Sequence, residues 1–164
     1  MSAACTIRPA HHDEMDRVRE LFREYQAHLN IDLCFQSFEQ ELAELPGRYA
    51  PPSGAVLFAD VDGAIADVDG AIAGVVAMRA LDPHTAEMKR LFVRPAFHGV
   101  GLGRPLAEAV IEEARRRGYV QLRLDTLPMM GRAIELYRKL GFVQIEPYTH
   151  NPIAGALYLE LLLT

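Results

Sequence analysis

The sequence predicts an α/β fold, a mixed sheet with helices packed on its faces. Three observations predict it. Short apolar or alternating runs interleave with segments whose apolar residues recur at helical spacing. After an opening strand, two helices and two strands, strands and helices alternate along the rest of the chain. The chain has 164 residues, half of them apolar, which suits a single domain over residues 1–164 with a real core.

Each element has its own signal. A strand fits Cys5 to Arg8, and Pro9 closes it. In the helix that follows, Asp13 stands near the start. Met15, Val18, Leu21, Phe22, Tyr25 and Leu29 form its apolar stripe. A second helix fits Phe35 to Leu45, with Phe35, Phe38, Leu42 and Leu45 on one face, and Pro46 and Gly47 end it. The stretch to Gly54, with Pro51 and Pro52, reads as loop. Strands fit Ala55 to Val61 and Ile72 to Leu81. Between them DVDGAIA occurs twice in tandem, at Asp60 to Ala66 and Asp67 to Ala73. Each copy carries Asp-Gly, a hairpin-turn signal. One turn suffices, so the second copy reads as added length at a hairpin tip. Its length is odd, so moving the turn between copies would exchange the faces of the strand. The aspartates do not follow the ligand order of a calcium loop.

A strand fits Ala86 to Val93, and a turn spans Arg94 to Gly101. A helix runs from about Gly103 to Arg117 on a stripe of Leu106, Ala107, Val110, Ile111 and Ala114. Pro105 lies in its first turn, where a missing N–H costs little. Arg115, Arg116 and Arg117 place positive charge at its C-terminus, and Gly118 stops it. Leu122 to Thr126 reads as a strand, Met130 to Leu140 as a helix capped by Gly141, and Phe142 to Ile145 and Ala156 to Leu162 as the last strands.

Composition narrows the function classes. The formal net charge of −5 argues against a broad basic face for nucleic acid. No apolar run approaches the roughly 18 residues that span a bilayer, and no signal peptide opens the chain. Cys5 and Cys34 have no metal-binding spacing, and His11, His12, His28 and His84 belong to no constellation. These features predict a cytoplasmic protein with free thiols, surface histidines and no metal, binding neither nucleic acid nor membrane.

The segment His98 to Pro105, HGVGLGRP, carries the chemistry. Gly99, Gly101 and Gly103 alternate at the mouth of a helix. Glycine permits a sharp turn and leaves no Cβ between the amides and a ligand. The first N–H groups of a helix lack intrahelical partners, and the dipole adds partial positive charge. An anion there satisfies both, and Arg104 adds a charged donor. By themselves the glycines also fit a tight turn with no ligand. They match neither the Walker sequence, since Arg-Pro follows Gly103, nor the dinucleotide fingerprint, since Gly103 comes one residue too soon.

The wider run EMKRLFVRPAFHGVGLGRPLAEAVIEEARRRGY, with AIELYRKLGF at Ala133 to Phe142, resembles the GNAT superfamily of acetyltransferases. Asn151 to Leu161 resembles a bacterial branch ending in NPIxGAxYxEL. The resemblance implies a mixed, mostly antiparallel sheet of six to seven strands flanked by about four helices, in the order β-α-α-β-β-β-α-β-α-β-β. It implies acetyl-CoA as cosubstrate and no metal. The pyrophosphate would lie on the backbone amides of His98, Gly99, Val100, Gly101, Leu102, Gly103 and Arg104. His98 replaces the family's usual Arg or Gln. Leu91, Phe92 and Val93 would hold the pantetheine arm and polarise the thioester carbonyl through their backbone. Met130 stands where many relatives carry a cofactor-binding Asn.

The resemblance also assigns catalysis. Tyr137 would give a proton to the departing thiolate, although it also shares an apolar stripe with Ala133 and Leu140. Glu87, eleven residues before His98, would be the base. It also fits a solvated strand end, and a water chain serves many relatives instead. A buried Glu is expected to have a raised pKa. Tyr148, His150 and Asn151 would border the acceptor. The expected reaction is direct attack of a small-molecule or protein amine on acetyl-CoA, and the negative net charge favours a cationic acceptor. Homodimers are common among relatives. The alternatives are a non-catalytic acyl-CoA-binding module and an α/β domain with no CoA site.

Overall fold

A computed structural model describes residues 5–30, 33, 37–61 and 71–163, with Ala71 described by its backbone alone. Cys34, the start of the expected second helix and the hairpin-tip residues 62–70 lie outside the described residues. The elements are β1 (Cys5–Pro9), α1 (Met15–Leu29), α2 (Phe38–Glu44), β2 (Ala55–Val61), β3 (Ala71–Ala80), β4 (Thr85–Val93), α3 (Gly103–Arg116), β5 (Gln121–Thr126), α4 (Gly131–Lys139), β6 (Val143–Ile145) and β7 (Leu157–Leu162). Their order is the expected one. The strands form one seven-stranded sheet in the order β1-β2-β3-β4-β5-β7-β6. Every pairing is antiparallel except β4 with β5.

Most boundaries shift by a residue from the expected ones, and the first two helices differ more. Among the described residues the second helix begins at Phe38, and Ser37 before it is left-handed (φ +55°). It ends at Glu44 because Leu45 precedes Pro46 and is driven to extended backbone. Asp13 does not open α1. A short 3₁₀ turn at His12–Glu14 leads in, with the His11 amide donating to Glu14 Oε1 at 2.9 Å. Arg8 chelates the same carboxylate at 2.7 and 2.9 Å.

The sheet divides the interior in two. On one face β2 places Ala55, Leu57, Ala59 and Val61 against the α3 stripe of Leu106, Ala107, Val110, Ile111 and Ala114. On the other, Val56 and Phe58 meet Val18, Leu21 and Phe22 of α1 and Phe38 and Leu42 of α2. This is the period-two alternation of a strand covered on both sides.

Two irregularities shape the sheet. Ala59 pairs with Gly74 and Asp60 with Ile72, so Ala73 is an extra residue in β3. It switches which side chains face α3: Ala73 does, and then Val76 and Met78. In β4, Arg90 and Leu91 together oppose Val76, since Lys89 pairs with Ala77 and Phe92 with Val75. Arg90 has a positive φ of 61° there. This bulge turns Arg90 toward α2, as Lys89 already is. Arg90 donates to both oxygens of Glu41, each at 3.0 Å, and lies over the Phe38 ring.

Candidate active site

The site begins where two strands part. Pairing of β4 with β5 covers only Thr85–Gln121, Ala86–Leu122 and Glu87–Arg123. From Met88 onward the β5 side of β4 has no partner, so alternate backbone groups along that edge face a cleft. A small cavity of about 40 Å³ lies in the opening, lined by Tyr25, Lys89, Leu91, Asp125, Met130 and Tyr137 among others. A larger one of about 390 Å³ adjoins it on the α2 side, lined by Glu41, Arg48, Arg79, Glu87, Lys89 and Asp125 among others.

The glycine turn lies past the end of β4. Gly99 and Gly101 have φ of +88° and +82°, conformations that glycine adopts without strain. A Cβ on either would meet nothing, whereas one on Gly103 would touch Leu136. The α3 N-cap, Leu102, has no capping side chain. Among the described residues, no protein acceptor takes the amides of Gly99, Gly101, Leu102, Gly103 or Arg104, while the Val100 amide donates to the Phe97 carbonyl at 3.3 Å. The His98 ring donates from Nε2 to the Val93 carbonyl at 2.8 Å, which pins the turn to the end of β4. The Arg104 guanidinium pairs with Glu108 at 2.6 Å, one helical turn away. Phe92 is buried in the α1 core, with its ring edge-on to Tyr25.

Tyr137 is 5% exposed and packs on Phe142 while it lines the small cavity. Burial raises its pKa above the usual tyrosine value, and the charges of Tyr25 and Asp125 add to this. Core packing and cavity lining are thus properties of the same side chain.

Glu87 is not a solvated strand end. It is 1% exposed. Oε1 accepts from Arg79 Nε at 2.9 Å and Oε2 from the Tyr148 hydroxyl at 2.7 Å. The Lys89 ammonium lies 4.0 Å from Oε1. Burial pushes its pKa up, but the Lys89 and Arg79 charges and the Tyr148 hydrogen bond outweigh it and hold the carboxyl below the ordinary range. The expected upward shift is therefore reversed, because the burial comes with two cations.

The three expected acceptor residues separate. His150 lines the larger cavity and Asn151 the smaller. Tyr148 stands behind Glu87, its ring edge-on to Tyr158 and under Arg123. Burial and the adjacent Glu87 charge raise its pKa, so it keeps its proton. Met130 lines the small cavity and accepts a 3.7 Å hydrogen bond on sulfur from Thr126 Oγ1. Sequence reasoning missed Lys89, Asp125 and Tyr25. Alternation from Glu87 would have put Lys89 on the same face, but nothing local linked it to Asp125.

Comparison with known proteins finds relatives in sequence and in fold. A model described as the Acetyltransferase (GNAT) family matches residues 15–142. An uncharacterised N-acetyltransferase of Schizosaccharomyces pombe is 38% identical over 149 residues, covering 90% of this chain and 88% of its own. A Staphylococcus aureus acetyltransferase of the GNAT family superposes with a TM-score of 0.77 at 18% identity, over 98% of this chain and all (100%) of that one. A Salmonella typhimurium protein, solved with its cofactor acetyl-CoA, superposes with a TM-score of 0.72 at 23% identity, over 98% and 95% of the two chains. The yeast relative shows that similarity along the chain is not confined to bacteria.

Proposed function

The chain belongs to the GNAT family of acetyltransferases, and on that premise we propose that it transfers the acetyl group of acetyl-CoA to a primary amine of a small molecule or protein by direct attack. The observation that carries this reading is the opening between β4 and β5 beside five amides with no protein acceptor among the described residues. Those amides suit a pyrophosphate, at a helix N-terminus whose dipole favours negative charge. The His98 ring takes no part in that contact and instead fixes the turn. The unpaired edge of β4 at Leu91, Phe92 and Val93 offers backbone groups to an extended amide-bearing arm. An N–H there, directed at the thioester oxygen, stabilises the developing oxyanion.

The amine must be neutral when it attacks. Glu87 is ionised at neutral pH and borders the larger cavity, so it receives the ammonium proton directly or through a bridging water. Its low basicity means that it passes the proton on to solvent. Tyr137 supplies a proton to the leaving thiolate. A phenol with a raised pKa is a reluctant donor, but the same dry surroundings raise the affinity of the thiolate for a proton. Release of free thiol from acetyl-CoA, followed over a panel of amines, tests the proposal. Turnover on at least one amine is expected. Tight binding by calorimetry with no turnover on any amine would instead identify a non-catalytic acyl-CoA-binding module, and a folded sample that binds no acetyl-CoA would sink both.

A further inference from the structure

The two cavities meet at one place. Among the described residues only Lys89 and Asp125 line both of them. An amine that enters from the larger cavity and attacks a thioester at the smaller one must pass between these two side chains. The junction therefore presents one ammonium and one carboxylate to the reacting nitrogen and the atoms nearest to it.

Both groups have bonding capacity to spare. Lys89 is 9% exposed, and among the described residues its nearest carboxylate oxygen, Glu87 Oε1, lies 4.0 Å away, beyond a normal hydrogen bond. Glu87 is already committed to Arg79 and Tyr148. Burial lowers the Lys89 pKa while the Glu87 charge opposes this, so an incoming carboxylate that accepts its unspent donors favours the ammonium form. Asp125 Oδ2 accepts from Asn151 Nδ2 at 3.1 Å, and among the described residues Oδ1 accepts from no protein donor. The charge on the larger cavity is balanced as well. Glu41, Glu44, Glu87 and Asp125 line it with Arg48, Arg79 and Lys89, and Arg90 neutralises Glu41 from behind. A polycation would need an excess of carboxylates, which is absent there despite the chain's overall negative charge. A simple alkylamine would leave Lys89 facing an apolar group.

We propose that the acceptor is an α-amino acid, with its carboxylate held by Lys89 and its amino group held by Asp125. This rests on the acetyltransferase reading above and names the substrate class of that site. An α-amino acid carries both charges on one carbon, which matches a junction where both partners border the same passage. Its side chain then extends into the larger cavity. The ammonium loses one proton before attack, through Glu87 to solvent. The nitrogen forms a bond to the acetyl carbon and the carbon–sulfur bond breaks. The thiolate gains a proton from Tyr137 and the second nitrogen proton restores the phenol, so the products are an N-acetyl amino acid, free thiol and the one proton released to solvent. The product amide no longer carries the charge that Asp125 attracts, which favours release.

The test compares thiol release from acetyl-CoA with glycine, L-aspartate, L-lysine and L-glutamine against the α-carboxamide of each and spermidine. At least one amino acid is expected to exceed its own amide in kcat/KM by about tenfold or more, the scale of a charge-assisted contact. Lys89→Met is expected to bring that ratio to within about threefold of unity by raising KM for the acid, whereas Lys89→Arg keeps a clear preference. Circular dichroism and acetyl-CoA calorimetry verify that each variant is folded, and the acid-to-amide comparison on the unaltered protein needs no variant. Amides or spermidine turned over as well as the amino acids would overturn the inference and leave the acetyltransferase reading intact. An acid preference that persists in folded Lys89→Met would overturn the assignment of Lys89. Acetyl-CoA bound with no thiol released on any amine would defeat the acetyltransferase reading itself, and this inference with it.

Discussion

At Glu87 two cations and a phenol oppose burial and prevail. The folded pKa lies below the unfolded value of about 4.3. The carboxylate therefore contributes stability that is complete above that value and is lost as pH falls through the folded one. The same shift should appear in catalysis. Arg79→Met removes a charge and a 2.9 Å hydrogen bond from Glu87, so its pKa should rise toward the ordinary glutamate range and beyond. The acid limb of kcat/KM should move toward neutral pH, read from a pH–rate profile. A limb that stays in place would show that Glu87 does not govern it. Tyr137 allows a cleaner separation of roles. Tyr137→Phe keeps the contact with Phe142 and removes only the proton donor. We expect kcat to fall by about 100-fold, the lower end of general acid–base contributions, with acetyl-CoA affinity by calorimetry unchanged. An unchanged kcat would remove Tyr137 from the mechanism.

At the scale of elements, α3 and its entry turn were the most legible part of the sequence. Glycine spacing, Pro105 and the apolar stripe are all local signals, and the structure starts the helix at Gly103 as expected. The turn also carries a direct test. Gly101→Arg forces a left-handed residue at a backbone cost of about 1–2 kcal/mol and puts a long side chain beside the amides. Because a Cβ at that position meets nothing, the fold should survive by circular dichroism while acetyl-CoA affinity is lost. Retained affinity would remove the turn from the cofactor site. Other parts were illegible for a stated reason. The junction of Lys89 with Asp125 depends on where β4 leaves β5, and register across a crossover leaves no local mark. The β4 bulge was equally hidden, since Arg90 is a residue type that rarely takes a positive φ. Glu87 was visible as a candidate, but the charges of Lys89 and Arg79, joined by the Tyr148 hydroxyl from 61 positions away, reverse the expected pKa shift.

For the molecule as a whole, β4 is the element that joins everything. It closes the α3 core through Ala86 and Met88, enters the α1–α2 core through Phe92, and supplies Glu87, Lys89 and the open edge of the cleft. The position of α2 over that cleft is set by a buried ion pair, Arg90 with Glu41, whose side chains are 2% and 11% exposed. Such a pair is weak evidence of net stability, because desolvation offsets much of the attraction. Removing one partner is different, since the other stays buried and uncompensated. Glu41→Ala should destabilise the protein by about 3–5 kcal/mol, measured by urea unfolding. It should also raise KM for the acceptor, because the wall of the larger cavity shifts with α2. Glu41→Leu with Arg90→Met, a double apolar replacement, should recover most of the stability but not the low KM, since a carboxylate on the cavity wall is replaced by an apolar side chain. If the double variant is as unstable as the single one, the pair itself stabilises the fold. If both variants keep a normal KM, α2 does not shape the acceptor site, and the acceptor must reach the cleft without touching that wall.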